Sequence, residues 1–250
     1  MQFIVGIEYF GANYCGWQNQ KSGIKTVQFY VEKALSKVAN SPIKVYCAGR
    51  TDKGVHALEQ VIHFETNINR SCRSWLLGGN SFLPKDISFL WVKKVDDNFH
   101  ARHSACARLY QYKIYNSITR PGLYNDYFYW EPKKLNIGEM QKAANLFLGK
   151  HDFSAFRSSI CQAKSPIKTI EYLNINKNNN IILIDIKADS FLHHMVRNVV
   201  GTLLKVGYGR KNHKWVKDVI DSKDRKLAGV TIAAKGLYFV KAFYAENLSL

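Results

Sequence analysis

The chain has 250 residues, 46% of them hydrophobic, which excludes a disordered or fibrous protein and leaves one large domain or two of about 125 residues. Its 36 Lys and Arg against 19 Asp and Glu give a formal charge of +17, more than solubility requires, and this points to a polyanionic partner. Five scattered cysteines form no Cys-x-x-Cys pair and no apolar run approaches membrane-spanning length, so a zinc ribbon, a disulfide scaffold and a membrane span are not expected, and reduced thiols in a cytoplasmic protein are.

In chain order, residues 2–9 alternate as a strand. A helix is predicted over "TVQFYVEKALSKVAN", with Val27, Val31, Ala34, Leu35 and Val38 at helical spacing behind Thr26 as N-cap. "IKVYCA" and "LEQVIHFET" read as strands on either side of "GRTDKGVH", which places that stretch on a strand-to-strand loop. "SCRSWLLGGN" reads as a short helix, "ISFLWVKKV" as a strand, and the polar "DDNFHARHSA" suggests a domain boundary near residue 98. Residues 1–98 carry 12 basic and 8 acidic side chains and residues 99–250 carry 24 and 11, so the second domain should dominate attraction to a polyanion.

The second part repeats the grammar. Strand "LYQYKIYN" is followed by a helix near 135–148, a hairpin from "IEYLNINKN" to "IILIDIKA", a long helix in "DSFLHHMVRNVVGTLLKVGYG", a short one at 213–221 and a closing strand "LYFVKAFY". The pattern predicts an α+β protein of two similar subdomains, 1–98 and 99–250, each an antiparallel sheet with helices on one face.

Three places hold candidate chemistry. In "GRTDKGVH", Gly49 and Gly54 let the backbone turn tightly, so Asp52 is either a carboxylate presented to a ligand and kept ionised by Arg50, or the side chain of an Asx turn. In the long helix Ser190 is the expected cap and Gly207 the end; Leu192, Met195, Val196, Val199, Val200, Leu203 and Leu204 share one arc, and His193, His194, Arg197, Asn198, Thr202 and Lys205 the other. Arg197 there is either a solvated helix arginine or an anion-binding group. His193 and His194 diverge on a helix and have no acid at i+3 or i+4, so no metal is expected. Tyr110, Tyr112 and Ile114 share a strand face that either fills a core or stacks on bases.

"CAGRTDKGVHALEQVIHFET" resembles the signature of the TruA family of tRNA pseudouridine synthases, and "YCGWQNQ", "FHARHSACARLYQYKIYN", "DFSAFRSS", "KSPIKTI", "FLHHMVRNVVGTLL" and "GLYFV" are similar to its other blocks, in the same order. The resemblance implies the pseudouridine synthase fold with its active-site cleft between the subdomains. It implies isomerisation of uridine to pseudouridine at positions 38 to 40 of the tRNA anticodon stem-loop, without metal or organic cofactor. It implies Asp52 as the catalytic nucleophile, Arg50 beside it, Tyr110 as stacking group and base for the C5 proton, and Arg197 as a substrate-binding arginine around a flipped base. It also implies a homodimer with tRNA lying across both subunits. The chain departs from the family pattern at Lys53, commonly alanine, at Glu59, commonly small, and in "AGVTIAAKGL", which lacks the prolines often found there.

Overall fold

A computed structural model of the chain describes residues 1–20 and 23–245. They form ten strands and five α-helices in two compact units, Met1–Arg108 together with the chain from Phe239, and Leu109–Tyr238. The polar stretch around residue 98 therefore falls inside the first unit.

The first unit opens with β1 (Gln2–Tyr9), then α1 (Val27–Ala39), β2 (Tyr46–Cys47), β3 (His56–Glu65), α2 (Cys72–Phe82) and β4 (Ile87–Val95). Thr26 caps α1 by accepting from Phe29 N at 3.3 Å, as the sequence predicts, and Asn40 ends it in the left-handed conformation with φ 52°. Ser71 does the same for α2, accepting from Ser74 N at 3.1 Å. The strand expected over "IKVYCA" contracts to Tyr46–Cys47, paired to His63 and Ile62 of β3. β1 pairs antiparallel with both β3 and β4, and β1, β3 and β4 bury Phe3, Ile4, Val5, Ile7, Val61, Ile62, Phe64 and Phe89. A register shift between Ile7 and Tyr9 places one extra residue in β3, so that Tyr9 comes opposite Ala57, near the start of β3.

The second unit begins within β5 (Ala105–Asn116) and continues through β6 (Tyr129–Glu131), α3 (Ile137–Asn145), β7 (Gly149–Asp152), β8 (Ile167–Asn178), β9 (Ile181–Ala188), α4 (Met195–Gly207) and α5 (Trp215–Ser222) into the start of β10 (Leu237–Tyr244). Its strands follow the order β5-β9-β8-β7, with β7–β8 and β8–β9 antiparallel and the short β6 parallel to β5. β6 and β7, three and four residues long, carry no alternation that a sequence could show. The β8–β9 hairpin turns at Asn179, φ 51°, a conformation asparagine tolerates.

The long helix differs from expectation. It starts at Met195, because His194 takes φ 64°, outside the helical range, and Ser190 instead lies against the Asp189 carboxylate. Asn198 and Thr202, placed on the polar arc by the helical wheel, are fully buried. Among the described residues no helix is long and apolar enough to cross a membrane.

Candidate active site

Asp52 sits half-buried on the loop between β2 and β3, and β1, β3 and the segment at Trp17 fix the backbone around it. Ala48 N donates to Val61 O at 2.8 Å, which extends the β2–β3 pairing by one residue. Gln60, fully buried, then clamps Gly49 from both sides: its amide donates to Gly49 O at 2.6 Å and its oxygen accepts from Gly49 N at 3.3 Å. Thr51 meets the buried Tyr9 hydroxyl at 2.7 Å and its carbonyl accepts from Trp17 N at 3.0 Å. Val55 N donates to Asp52 O at 3.1 Å, closing a four-residue turn whose third position, Gly54, has φ 80° as a type II turn requires. Gly49, by contrast, has no positive φ, so of the two expected hinge glycines only Gly54 uses that freedom.

The block "YCGWQ" acquires its reason here. A Cβ on Gly16, φ 86°, would lie 2.7 Å from Thr51 O and 3.1 Å from Asp52 C, so only glycine lets this segment press against the Asp52 loop. Trp17 beside it is buried and tilts against Tyr9 with centroids 6.1 Å apart. Burial raises the Tyr9 hydroxyl pKa well above its ordinary value, so the Thr51–Tyr9 link is a bond between neutral groups at any physiological pH. Burial likewise pushes the Cys47 thiol up to about 12, against the opposing pull of Arg50, which is exposed at the loop's edge. Cys47 is therefore a protonated thiol and no nucleophile.

In the second unit Tyr110 and Arg197 occupy β5 and α4. Tyr110 is 7% exposed and meets Phe191 edge to face, centroids 5.0 Å apart, so a residue beyond those expected shapes its surroundings. Arg197 is half-buried and donates from Nε to Ile232 O at 2.7 Å, which excludes the freely solvated helix arginine. The neighbouring carbonyl, Ala233 O, accepts from the Tyr112 hydroxyl at 2.7 Å. Burial raises the Tyr112 pKa, with Arg197 pulling it the other way, so this tyrosine stays a neutral donor.

These two bonds belong to a larger set that holds the loop 225–233. Asn198 donates to Phe156 O at 2.7 Å and accepts from Thr231 at 2.6 Å and from Arg225 at 3.0 Å. Arg225 also donates to Gly229 O at 2.8 Å, Thr202 accepts from Gly229 N at 2.8 Å, and Lys205 donates to Ala228 O at 3.1 Å. A Cβ on Gly201 would lie 2.0 Å from Val230 O, so glycine there lets loop and helix touch. Side-chain hydrogen bonds thus hold a loop that contains no proline. Sequence reasoning missed Asn198, Thr202, Arg225 and Thr231, since polar residues on a helix and a loop read as solvated. Phe156, buried with Phe147 and Phe153, accounts for the block "DFSAFRSS" as the anchor beneath Asn198.

Of the departures from the family pattern, Lys53 is exposed and Glu59 accepts from Trp91 Nε1 at 3.3 Å.

Residues 6–104 and 143–245 match the family described as tRNA pseudouridine synthase. Asp52, Arg50 and Arg197 lie within those spans, and Tyr110 between them. The chain is 48% identical over 250 residues, all of its length and 94% of the relative's, to a protein of Vibrio parahaemolyticus serotype O3:K6 named tRNA pseudouridine synthase A. It is 50% identical over 239 residues, 96% of this chain and 90% of the relative, to the protein of that name in Wigglesworthia glossinidia brevipalpis. A third, from Legionella pneumophila strain Lens, is 48% identical with 100% and 95% covered.

Proposed function

The chain belongs to the tRNA pseudouridine synthase family, and from that premise we propose that it isomerises uridine to pseudouridine at positions 38, 39 and 40 of the tRNA anticodon stem-loop. The observation that carries this reading is similarity over the whole chain to proteins named tRNA pseudouridine synthase A. The charge of +17 suits a polyanionic substrate.

The reaction breaks the bond from C1′ to N1, turns the uracil, joins C1′ to C5 and moves the C5 proton away while N1 gains one, so no atom is lost and no redox partner is needed. Asp52 supplies the nucleophilic carboxylate. Its loop, held by Gln60, Thr51 and Gly16, keeps that group in place through the reaction. Arg50 lies on the same loop as a cation toward the substrate, and Arg197, oriented by Ile232 O, binds the extruded nucleotide and its phosphate. Tyr110 packs against the uracil and takes the C5 proton. The target must leave its stem before any of this, and extrusion costs a few kcal/mol that backbone contacts offset. In this reading the enzyme works in the cytoplasm as a homodimer on tRNA.

Release of tritium from C5-labelled uridine in tRNA tests the proposal. The wild-type protein releases label with the RNA strand intact, and Asp52→Asn releases none while its affinity for tRNA stays within about threefold, since the carboxylate does chemistry and the cations supply binding. Wild-type release by Asp52→Asn would overturn the assignment of the nucleophile.

A further inference from the structure

The second unit carries a further cluster of cations, of which Lys205 alone also holds the 225–233 loop. The stretch 205–217 holds five Lys and Arg and no acid. Two aromatic rings organise it. Trp215 has Lys205 Nζ 5.3 Å and Lys211 Nζ 5.6 Å from its ring centroid, and Tyr208 has Arg210 Cζ at 5.2 Å and Lys133 Nζ at 5.8 Å. Each ring is thus shared by two cations, and cation–π attraction holds them where no carboxylate does.

The carboxylates of α3 and β6 are already engaged. Glu131 accepts from the Tyr208 hydroxyl and from Lys133 N, and Glu139 pairs with Lys142 at 2.7 Å and His213 at 2.8 Å. Asp218 follows one turn into α5 and is exposed. Among the described residues Lys133, Arg210, Lys211 and Lys214 make no ion pair, and all four are exposed. The C-terminus of α4 at Gly207 attracts one or two cations through its dipole, but its effect fades within a turn. Four uncompensated cations on one corner repel one another unless an anion lies over them. Tyr208 beneath Lys133 and Arg210, and Trp215 beneath Lys211, also limit the rotamers that a bound anion would otherwise have to freeze.

We propose that this corner of the second unit, where α4 meets α5 and the chain after β6, is a docking surface for the sugar–phosphate backbone of the substrate RNA, additional to the residues that act on the uridine. The proposal rests on the reading above for the identity of the RNA. Lys205 lies eight residues beyond Arg197 on α4, about 12 Å along the helix axis, so the surface begins within a few phosphates of a nucleotide held by Arg197. A backbone running along a stem meets several of these cations together, whereas a single free phosphate meets one or two.

The test is the fourfold variant Lys133→Gln, Arg210→Gln, Lys211→Gln and Lys214→Gln, compared with a charge-preserving variant that exchanges Lys for Arg and Arg for Lys at the same positions. Binding of whole tRNA is measured from about 50 to about 300 mM salt, with single-turnover tritium release at saturating tRNA alongside. The expected result is a plot of log affinity against log salt shallower by about 3, affinity weaker by about ten- to a hundredfold at moderate salt, and a saturated rate within about twofold of wild type. The charge-preserving variant keeps the wild-type slope. An unchanged slope in the fourfold variant overturns the proposal and leaves the cations as helix-end and surface groups, as does loss of the slope in both variants. Absence of tritium release from the wild-type protein, with the slope change intact, would sink the isomerase reading and leave the docking surface standing.

Discussion

The Asp52 loop in the first unit and the 225–233 loop in the second are both held still, by different means. The first is held mostly by main chain and by space, with side-chain bonds only from Gln60 to Gly49 and between Thr51 and Tyr9: Trp17 N, Val55 N and Ala48 N make backbone bonds around it, and the missing Cβ of Gly16 lets the 14–17 segment close on Thr51. The second is held by side chains that reach main-chain carbonyls, the Gly229 N–H and one another, from Arg197, Tyr112, Arg225, Asn198, Thr202 and Lys205. A loop of the first kind is most sensitive to change in its backbone, with Gln60 and Tyr9 as its two side-chain supports. A loop of the second kind depends on a few polar groups, each of which leaves partners orphaned when it is removed.

That contrast is sharpest at Asn198. It is fully buried, and its removal strands Phe156 O and the Thr231 hydroxyl proton and leaves Arg225 Nη2 with Thr231 as its remaining partner. Asn198→Ala is expected to cost about 3 kcal/mol of stability, and Asn198→Asp, which keeps the acceptor facing Arg225 and Thr231 but not the donor facing Phe156, about half of that. Urea denaturation of both variants checks it; equal losses would show that the acceptor contributes nothing.

The corresponding break in the first unit is Gly16→Ala. The new methyl would stand 2.7 Å from Thr51 O at φ 86°, so strain and displacement of the Asp52 loop come together, about 2 kcal/mol in all. Turnover should fall more than that loss of stability explains, with tRNA affinity nearly unchanged, because the carboxylate moves while the cations do not. Full activity in a folded Gly16→Ala protein would mean that the Asp52 position tolerates a shift of several tenths of an ångström.

The same contrast explains what the sequence showed. The β2–β3 loop, the capped α1 and α2 and the β8–β9 hairpin were legible because glycine, asparagine and cap residues act locally, within a few positions of the structure they set. The start of α4 was misread because nothing local to Ser190 or Met195 announces that His194 will take a left-handed φ. Asn198 and Thr202 were placed on a polar face because burial of a polar side chain depends on partners 27 and 33 residues away, in Gly229 and Thr231. The candidate residues Asp52, Arg50, Tyr110 and Arg197 came from resemblance; spacing alone left each with a bland alternative.

Acid separates the two units in another way. His63, 2% exposed, accepts from Ala101 N at 3.1 Å and has His100 4.5 Å away, with His103 4.3 Å beyond it. Burial first, and those two imidazoles next, pull its pKa from 6.5 down to about 4. The folded state therefore takes up this proton later than the unfolded chain as pH falls, so stability is complete above about pH 7 and is lost progressively from 6.5 toward 4. At pH 5 the loss from this group is about 2 kcal/mol or less. The side chains that hold the 225–233 loop include no histidine and no carboxylate. Amide exchange should accordingly rise first around β3 and residues 99–103 on acidification, and His63→Gln should flatten the response; a uniform rise through both units would remove the distinction.

The smallest effect is expected at Glu59, although it is the more conspicuous departure from the family pattern. Its carboxylate is half-buried and meets Trp91 Nε1 only at 3.3 Å, a long bond with water as a ready substitute. What seats Trp91 is space: a Cβ on Gly6 would stand 2.3 Å from its ring, so the indole lies flat across β1 because glycine leaves room. Glu59→Ala should therefore change stability by no more than about 0.5 kcal/mol and leave tritium release unaltered, whereas Gly6→Ala, which fills the space under the ring, should cost several times as much. If Glu59→Ala were instead as damaging as Asn198→Ala, side-chain bonds would matter equally in both units, and the distinction between a loop held by its backbone and one held by its polar groups would not survive.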